Sequence, residues 1–367
     1  MSVDQPRLRH PAARIHVPVL PRHGLAATVG FVAIAASGLL CAKWDPYGHK
    51  IAHLFTTRSW TGRSILDSAG SASAAPSWHG AWSFARSYGQ AVWMALVAAL
   101  VIAAAVEALV PRRRIVSLLT GRSTFAGTAV AGLLAVPCMM CTCCSAPIAA
   151  TLRRRGVPTS SVLGYWIGNP ILNPAVLVFL ALVAPWQWVA TRIVVGGLLV
   201  FAVIPSLARF TTREPATSNT AEMPDDDFAL REAPMRFVKT LLRLAFTLVP
   251  EYFVVVLAIG AFRGWLFPLG ANAARWGIVA VIVAAVAGTL VVIPTAGEIP
   301  ILQGLSALGL GTGPLGALLI TLPAVSLPSM AMVGRALSWR VTLAVAGIVM
   351  VTGLAGAILL AVLSFFT

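Results

Sequence analysis

Four of the chain's five cysteines, Cys138, Cys141, Cys143 and Cys144, fall within seven residues of an otherwise apolar stretch. Thiolates are soft, polarizable ligands that suit thiophilic cations and do not suit magnesium or calcium. A lone cysteine in a membrane helix is a small packing residue; it is the density of this cluster that argues for ligands. Cys141, Cys143 and Cys144 are the expected metal-ligating set, with Cys138 a further substrate-binding candidate. The spacings Cys138 to Cys141 and Cys141 to Cys144 put sulfurs on one side of a helix, whereas Cys143 and Cys144 need a bent backbone to converge. Because the ligating species is the thiolate, capture displaces protons, so coupling of transport to protons is chemically natural. Cys138-Met139-Met140-Cys141 is also a C-x-x-C, which keeps a membrane thiol-disulfide oxidoreductase open as an alternative.

Three acidic residues lie within apolar segments: Glu107, Glu251 and Glu298. A carboxylate inside a membrane is costly and marks function by default. Glu298 is the leading candidate for a coupling proton, with Glu251, which follows Pro250, sharing the role. Glu107 is expected to form an interfacial pair with Arg112 to Arg114, and Arg192 to snorkel outward past the Trp186/Trp188 pair. His49, His53 and His79 match no strong metal-binding spacing.

What must position these groups is a membrane. The 367 residues are 58% hydrophobic and 11% charged, far below the roughly 25% charge of a soluble domain. Apolar runs near 24–42, 88–110, 159–184, 189–207, 244–262, 314–334 and 341–365 are long enough to span. Two more, 124–152 and 276–304, are apolar but awkward in length. The formal charge of +15 comes with no nucleic-acid motif and sits at the ends of apolar runs, so it reports topology. Placing the basic clusters at 7–22, 112–122, 153–155, 209–243 and 335–340 inside gives a cytoplasmic N-terminus. The loop 43–87 is then external, and 24–42 is an uncleaved first span.

Basic clusters on both sides of 124–152 forbid a single crossing, so this stretch is expected to be a hairpin turning near Pro137 to Ser145. Non-helical backbone at that depth is tolerated only where protein or a water-lined cavity surrounds it. Shifting the chain by 153 residues superimposes Pro147 on Pro300, Gly156 on Gly309, Pro170 on Pro323 and Trp186 on Trp339 without a gap. The first copy enters from the cytoplasm and the second from outside, which makes the repeats inverted, as in many secondary transporters. Corresponding interruptions, Asn169-Pro170 with Asn173-Pro174 and Pro323 with Ser326-Leu327-Pro328, mark Asn169, Asn173 and Ser326 as substrate-site candidates.

The expected architecture is an all-α polytopic membrane protein with about seven full transmembrane helices, two re-entrant or broken hairpins and an inverted internal repeat. Eight to nine simple spans is the alternative. The units are residues 1–87 (N-terminus, first helix, external loop), 88–207 (first repeat), 208–235 (polar cytoplasmic linker) and 236–367 (second repeat).

Cys141-Thr142-Cys143-Cys144-Ser145-Ala146-Pro147, Leu152, Gly156 and the Asn169-Pro170/Asn173-Pro174 pair resemble the signature of the ArsP-like predicted permeases. Gly297-Glu298-Ile299-Pro300 and Ser326-Leu327-Pro328 resemble that family's second-half motif. This group includes efflux permeases for trivalent organoarsenicals, whose two labile positions suit two thiolates, and the resemblance matches Cys141 and Cys143 to the family's Cys-Ser-Cys pair. Cys144 stands where glycine is expected and Cys138 is additional, so the extra thiols suit a different soft metal species. The resemblance implies a bacterial inner-membrane permease, not an enzyme, and a passive channel is a further alternative. No Walker A sequence, Gly-rich nucleotide loop or hydrolase elbow is present. Expected partners are membrane lipid and a small thiophilic substrate, with a homodimer left open, no nucleic acid and no resident cofactor.

Overall fold

The structure is a computed structural model describing residues 22–60, 76–120, 123–211, 232–266 and 276–366. Most of the N-terminal basic cluster, the Asp225-Asp226-Asp227 part of the linker and the C-terminal Thr367 lie outside the described residues. The described chain is helical and contains no strand.

Helix α1 (Arg22–Leu39) passes through a π-helical turn, Leu40–Trp44, directly into α2 (Asp45–Thr57). Helix α3 (Trp78–Leu109) begins ten residues before the expected span. The described residues of the external loop expected at 43–87 are therefore largely helix. Pro46 follows directly on the π turn, at the start of α2. Tyr47 and Trp60 meet Phe179 edge-on, and this docking holds the extension against the bundle.

A short helix, α4 (Arg112–Leu119), leads into α5 (Thr124–Ala135), a 3-10 turn at Val136–Cys138, and α6 (Thr142–Arg154). Twelve residues of helix rise only about 18 Å, short of a hydrocarbon core of about 30 Å. Both ends of this segment sit at one end of the molecule. From beyond the segment, Ser161 Oγ donates to the Leu119 carbonyl and Arg155 donates to the Val110 carbonyl, both of which precede it. Residues 124–154 thus enter and leave on the same side, as a re-entrant hairpin.

The chain continues as α7 (Thr159–Ile171), α8 (Pro174–Val183), α9 (Trp186–Leu198) and, after a π turn, α10 (Ile204–Thr211). The second half comprises α11 (Ala233–Leu266), α12 (Ile278–Leu290), α13 (Glu298–Ala307), α14 (Thr312–Ala324), α15 (Leu327–Ala336) and α16 (Trp339–Phe365). The shift of 153 residues carries the bounds of α7, α8 and the start of α9 exactly onto those of α14, α15 and α16. It also carries Gly156 (φ +86°) onto Gly309 (φ +83°), left-handed turn positions where glycine is unstrained. Among the described residues, six helical stretches are long and apolar enough to span, and the pair Thr312–Ala324 and Leu327–Ala336, bent by 45°, makes a seventh if counted as one span.

The two copies run in opposite directions. Helix α7 begins at the end where Arg112 donates to the Arg155 carbonyl, and α8 finishes near Pro185. Helix α14 begins at that far end, because Thr312 shares a surface hollow with Pro185, Gln187, Trp188 and Ser364. Glycines let each short hairpin helix lie against its neighbour. A Cβ at Gly164 of α7 would strike the Thr128 carbonyl of α5, and one at Gly288 of α12 would strike Thr321 of α14. The protein is a multi-pass membrane protein whose two inverted halves each send a hairpin inward from opposite ends.

Candidate thiol site between the hairpin tips

The two tips and the two helix breaks meet in the interior. Met140, Cys141 and Thr142 from the first tip face Pro294, Thr295 and Glu298 from the second, with Pro170 and Pro323 completing a cavity of about 10 Å³. A cavity of this size holds about one water.

Cys141 caps α6 in an extended conformation (φ −76°, ψ 168°), which folds its sulfur back over the first turn. Its Sγ lies 3.0 Å from Cys143 Sγ and 3.2 Å from Cys144 Sγ. All three sulfurs lie within 4.8 Å of one another and all three residues are buried. The capping geometry lets Cys143 and Cys144 converge with Cys141 without the bend in the helix that their adjacency suggested. Cys138 is not on the same helix: Met139, in the left-handed region at φ 51°, separates it from α6. Its sulfur meets Tyr165 Oη at 3.5 Å and stays outside the trio, so the C-x-x-C pair is not assembled with the other thiols.

The trio sits at the positive end of α6, where the helix dipole and free N–H groups favour anionic sulfur. Phenols from two other helices close on it. Tyr88 Oη lies 3.3 Å from Cys143 Sγ, and Tyr252 Oη donates to the same sulfur at 3.5 Å. Such outer hydrogen bonds orient soft ligands and tune their basicity. Sequence reasoning passed over these residues, yet a signal was there. The chain has only four tyrosines, and Tyr47, Tyr88, Tyr165 and Tyr252 all surround this site.

The breaks are satisfied by the amides singled out from sequence. Asn169 Oδ1 accepts from the Met140 N–H at 2.8 Å, fixing the first tip to α7. Asn173 caps α8, its Oδ1 accepting from Ala175 and Val176 N–H. Both Nδ2 groups are buried without a protein acceptor. Ser326 caps α15 through a reciprocal bond with Ser329, and its hydroxyl reaches Thr142 Oγ1 at 3.2 Å, tying the first tip to the second half's break.

Arg192 does not snorkel outward; it is fully buried. The break between α7 and α8 orphans the carbonyls of Pro170 and Ile171, since Pro174 has no N–H and Ala175 N–H is taken by Asn173. Arg192 supplies the donors, Nη2 to Pro170 O at 2.9 Å and Nε to Ile171 O at 3.2 Å. Its Nη1 donates to Glu298 Oε1 at 2.7 Å. Glu298 is thus beside the thiol cavity, as expected, but held by a guanidinium. Glu251 lies elsewhere, 3.0 Å from Arg335 between α11 and α15. Glu107 pairs with Arg243 at 2.6 Å and approaches Arg154 at 3.9 Å, not Arg112 to Arg114, because α11 packs antiparallel against the end of α3. His49 lies on α2, 3.3 Å from exposed Asp45, and brings together no metal-ligating group.

The second missed residue is Lys43. Expected in an external loop, it is buried on the π turn, its Nζ donating to Tyr47 Oη at 3.1 Å and to Thr295 Oγ1 of the second tip at 3.0 Å.

The chain is 39% identical over 306 residues to the UPF0718 protein YraQ of Escherichia coli (strain K12), an alignment covering 83% of this chain and 86% of that one. No solved structure matches it. A family model described as a predicted permease matches residues 77–362, which contain both hairpins and all four clustered cysteines, and the chain therefore belongs to the ArsP-like family of predicted permeases.

Proposed function

We propose that this permease is a secondary transporter that exports a thiophilic metalloid or soft metal species across the bacterial inner membrane in exchange for protons. The observation that carries the reading is the buried trio Cys141, Cys143 and Cys144, assembled where the tips of two oppositely directed hairpins meet. Transporters built from inverted repeats place substrate at such a crossing of interrupted helices, near the bilayer midplane. Three soft sulfurs and no carboxylate within the trio favour a thiophilic cargo over a hard cation. Arginines 112, 114, 154, 155 and 243 gather at the end where α7 begins, which supports reading that end as cytoplasmic under the positive-inside rule.

Protons enter through the chemistry of the ligands. Loading the trio with a metal cation releases thiol protons, and returning protons to the sulfurs favours release. Glu298, which lines the cavity and is paired to Arg192, is the carboxylate we assign to relay them. Protonation of Glu298 neutralises its half of the pair and loosens the link between the second tip and the first break.

The test is transport in proteoliposomes with an imposed pH gradient, using arsenite, phenylarsine oxide and cadmium as separate probes. Uptake that needs the gradient and is lost in the triple Cys141→Ser/Cys143→Ser/Cys144→Ser variant supports the reading. Equal flux with and without a gradient points to a channel, and flux unaffected by the triple substitution removes the thiol site.

A further inference from the structure

Helix α1 and its π turn precede the matched permease region, yet they reach into the site. Trp44 Nε1 donates to the Pro137 carbonyl of the first tip at 2.8 Å, while Lys43, one residue earlier, holds Thr295 of the second. A π turn adds a residue to the helical period and so directs both neighbours inward. Thr295 lines the same cavity as Cys141. Lys43 is only 4% exposed, and its hydrogen-bond partners, Tyr47 and Thr295, are both uncharged hydroxyls rather than carboxylates.

Charge balance decides what a cation in that place selects. An ammonium held in a low-dielectric interior requires an opposite charge nearby. When a soft divalent ion is bound by three thiols, each thiol gives its proton to solvent, and the resulting complex of one dication and three thiolates carries a single negative charge. When a trivalent metalloid hydroxide condenses with the same thiols, each new bond to sulfur forms as a hydroxide leaves with the thiol proton as water. That product is neutral. Near Lys43 the first complex adds a compensating negative charge, whereas the second adds none.

We propose that Lys43 is a specificity-determining residue that biases the Cys141/Cys143/Cys144 site towards soft divalent cations, held as an anionic tris-thiolate, and against neutral adducts of trivalent metalloids. The inference rests on the thiol-site reading above and names the cargo class within it.

The experiment measures binding of cadmium alone and of arsenite alone to the full chain in lipid nanodiscs. Wild type is compared with Lys43→Met, Lys43→Gln, Lys43→Arg and the triple cysteine-to-serine variant. Cadmium affinity is expected to fall about ten- to hundredfold in both neutral variants and to recover in Lys43→Arg. Arsenite affinity is expected to hold or rise in the neutral variants. Lys43→Gln keeps a donor for Thr295 and so guards against a folding defect in Lys43→Met. Parallel loss of both probes in the neutral variants, or undiminished cadmium binding, overturns the charge-selection role while leaving the thiol site standing. Failure of wild type to bind either probe, or full binding by the triple variant, overturns the thiol-site reading and this inference with it.

Discussion

Arg192 and Glu298, 106 positions apart in sequence, form a buried ion pair at 2.7 Å that joins the helix after the first break to the tip of the second hairpin. Thr142 and Ser326 make the reciprocal link, from the first tip to the second half's break, at 3.2 Å. Each tip is therefore braced by the opposite half, and movement of the tips relative to the breaks has to disrupt both contacts. Removing one partner of a buried pair strands the other's charge, at a cost of about 3–5 kcal/mol. Arg192→Met is expected to lower thermal stability in detergent sharply. The double variant Arg192→Met/Glu298→Leu, which removes both charges, is expected to recover most of that stability without recovering transport. Normal transport by the double variant would reduce the pair to a staple.

Asn169 and Asn173 serve backbone that the breaks leave unpaired, so their loss is felt at the site more than at insertion. An unmade hydrogen bond on a buried backbone group costs about 1–3 kcal/mol. Asn169→Leu frees the Met140 N–H and is expected to reduce transport severalfold while membrane yield stays near wild type. Asn173→Leu removes the cap of α8 and is expected to behave in the same way. Wild-type flux in the double variant would show that neither amide matters to the moving parts.

Close contact between α5 and α7 depends on Gly164, where a side chain would meet the Thr128 carbonyl. Backbone cannot retreat as a flexible side chain can, so the hairpin must shift outward. Gly164→Val is expected to destabilise by about 1–3 kcal/mol, read as a lowered melting temperature in nanodiscs. Gly197→Ala, at a position with open space around it, is expected to change little. Similar melting temperatures for the two variants would mean that the seam is looser than its geometry.

Most of the membrane architecture was legible because hydropathy and helix breakers are local signals. Pro170, Pro323, Gly156 and Gly309 announce the repeat, and the arginines flanking 124–152 announce the hairpin before any coordinates are known. The candidate site was legible only in its cysteines and its break amides. Lys43 was hidden because a lysine just past an apolar run reads as an interfacial charge, and the π turn that rotates it inward leaves no compositional mark. Arg192 was misplaced for a related reason: snorkelling is the usual fate of an arginine near a tryptophan belt. Its true partners, the carbonyls of Pro170 and Ile171 and the carboxylate of Glu298, are created by tertiary structure. The tyrosines were the one overlooked clue within reach, since four polar-tipped aromatics in a chain this apolar need partners.

Orientation in the bilayer follows from the clustered arginines. A reporter fused after Arg155 is expected to read cytoplasmic, because both ends of the first hairpin lie at the basic end. One fused after Thr367 is expected to read external, because Ser364 lies near Thr312 and Pro185 at the opposite end. The same compartment for both fusions would contradict the odd number of crossings that the two hairpins leave.

Cysteine substitutions separate ligands from packing. Serine keeps the size of cysteine but replaces a soft, ionisable donor with a hard, un-ionised one. Cys141 touches both other sulfurs of the trio, so Cys141→Ser is expected to abolish resistance of cells to a thiophilic probe, with protein still present in the membrane. Cys143→Ser should do the same, since it also strips Tyr88 and Tyr252 of their shared partner. Cys144→Ser should act less strongly, as this position departs from the family pattern, and Cys138→Ser should act least because its sulfur stands outside the trio. Cadmium binding to wild type should weaken as pH falls, since protons compete for the thiolates, and the slope should flatten when one ligand is removed. Undiminished resistance in all four single variants would mean that the cluster is packing and that the cargo is recognised elsewhere.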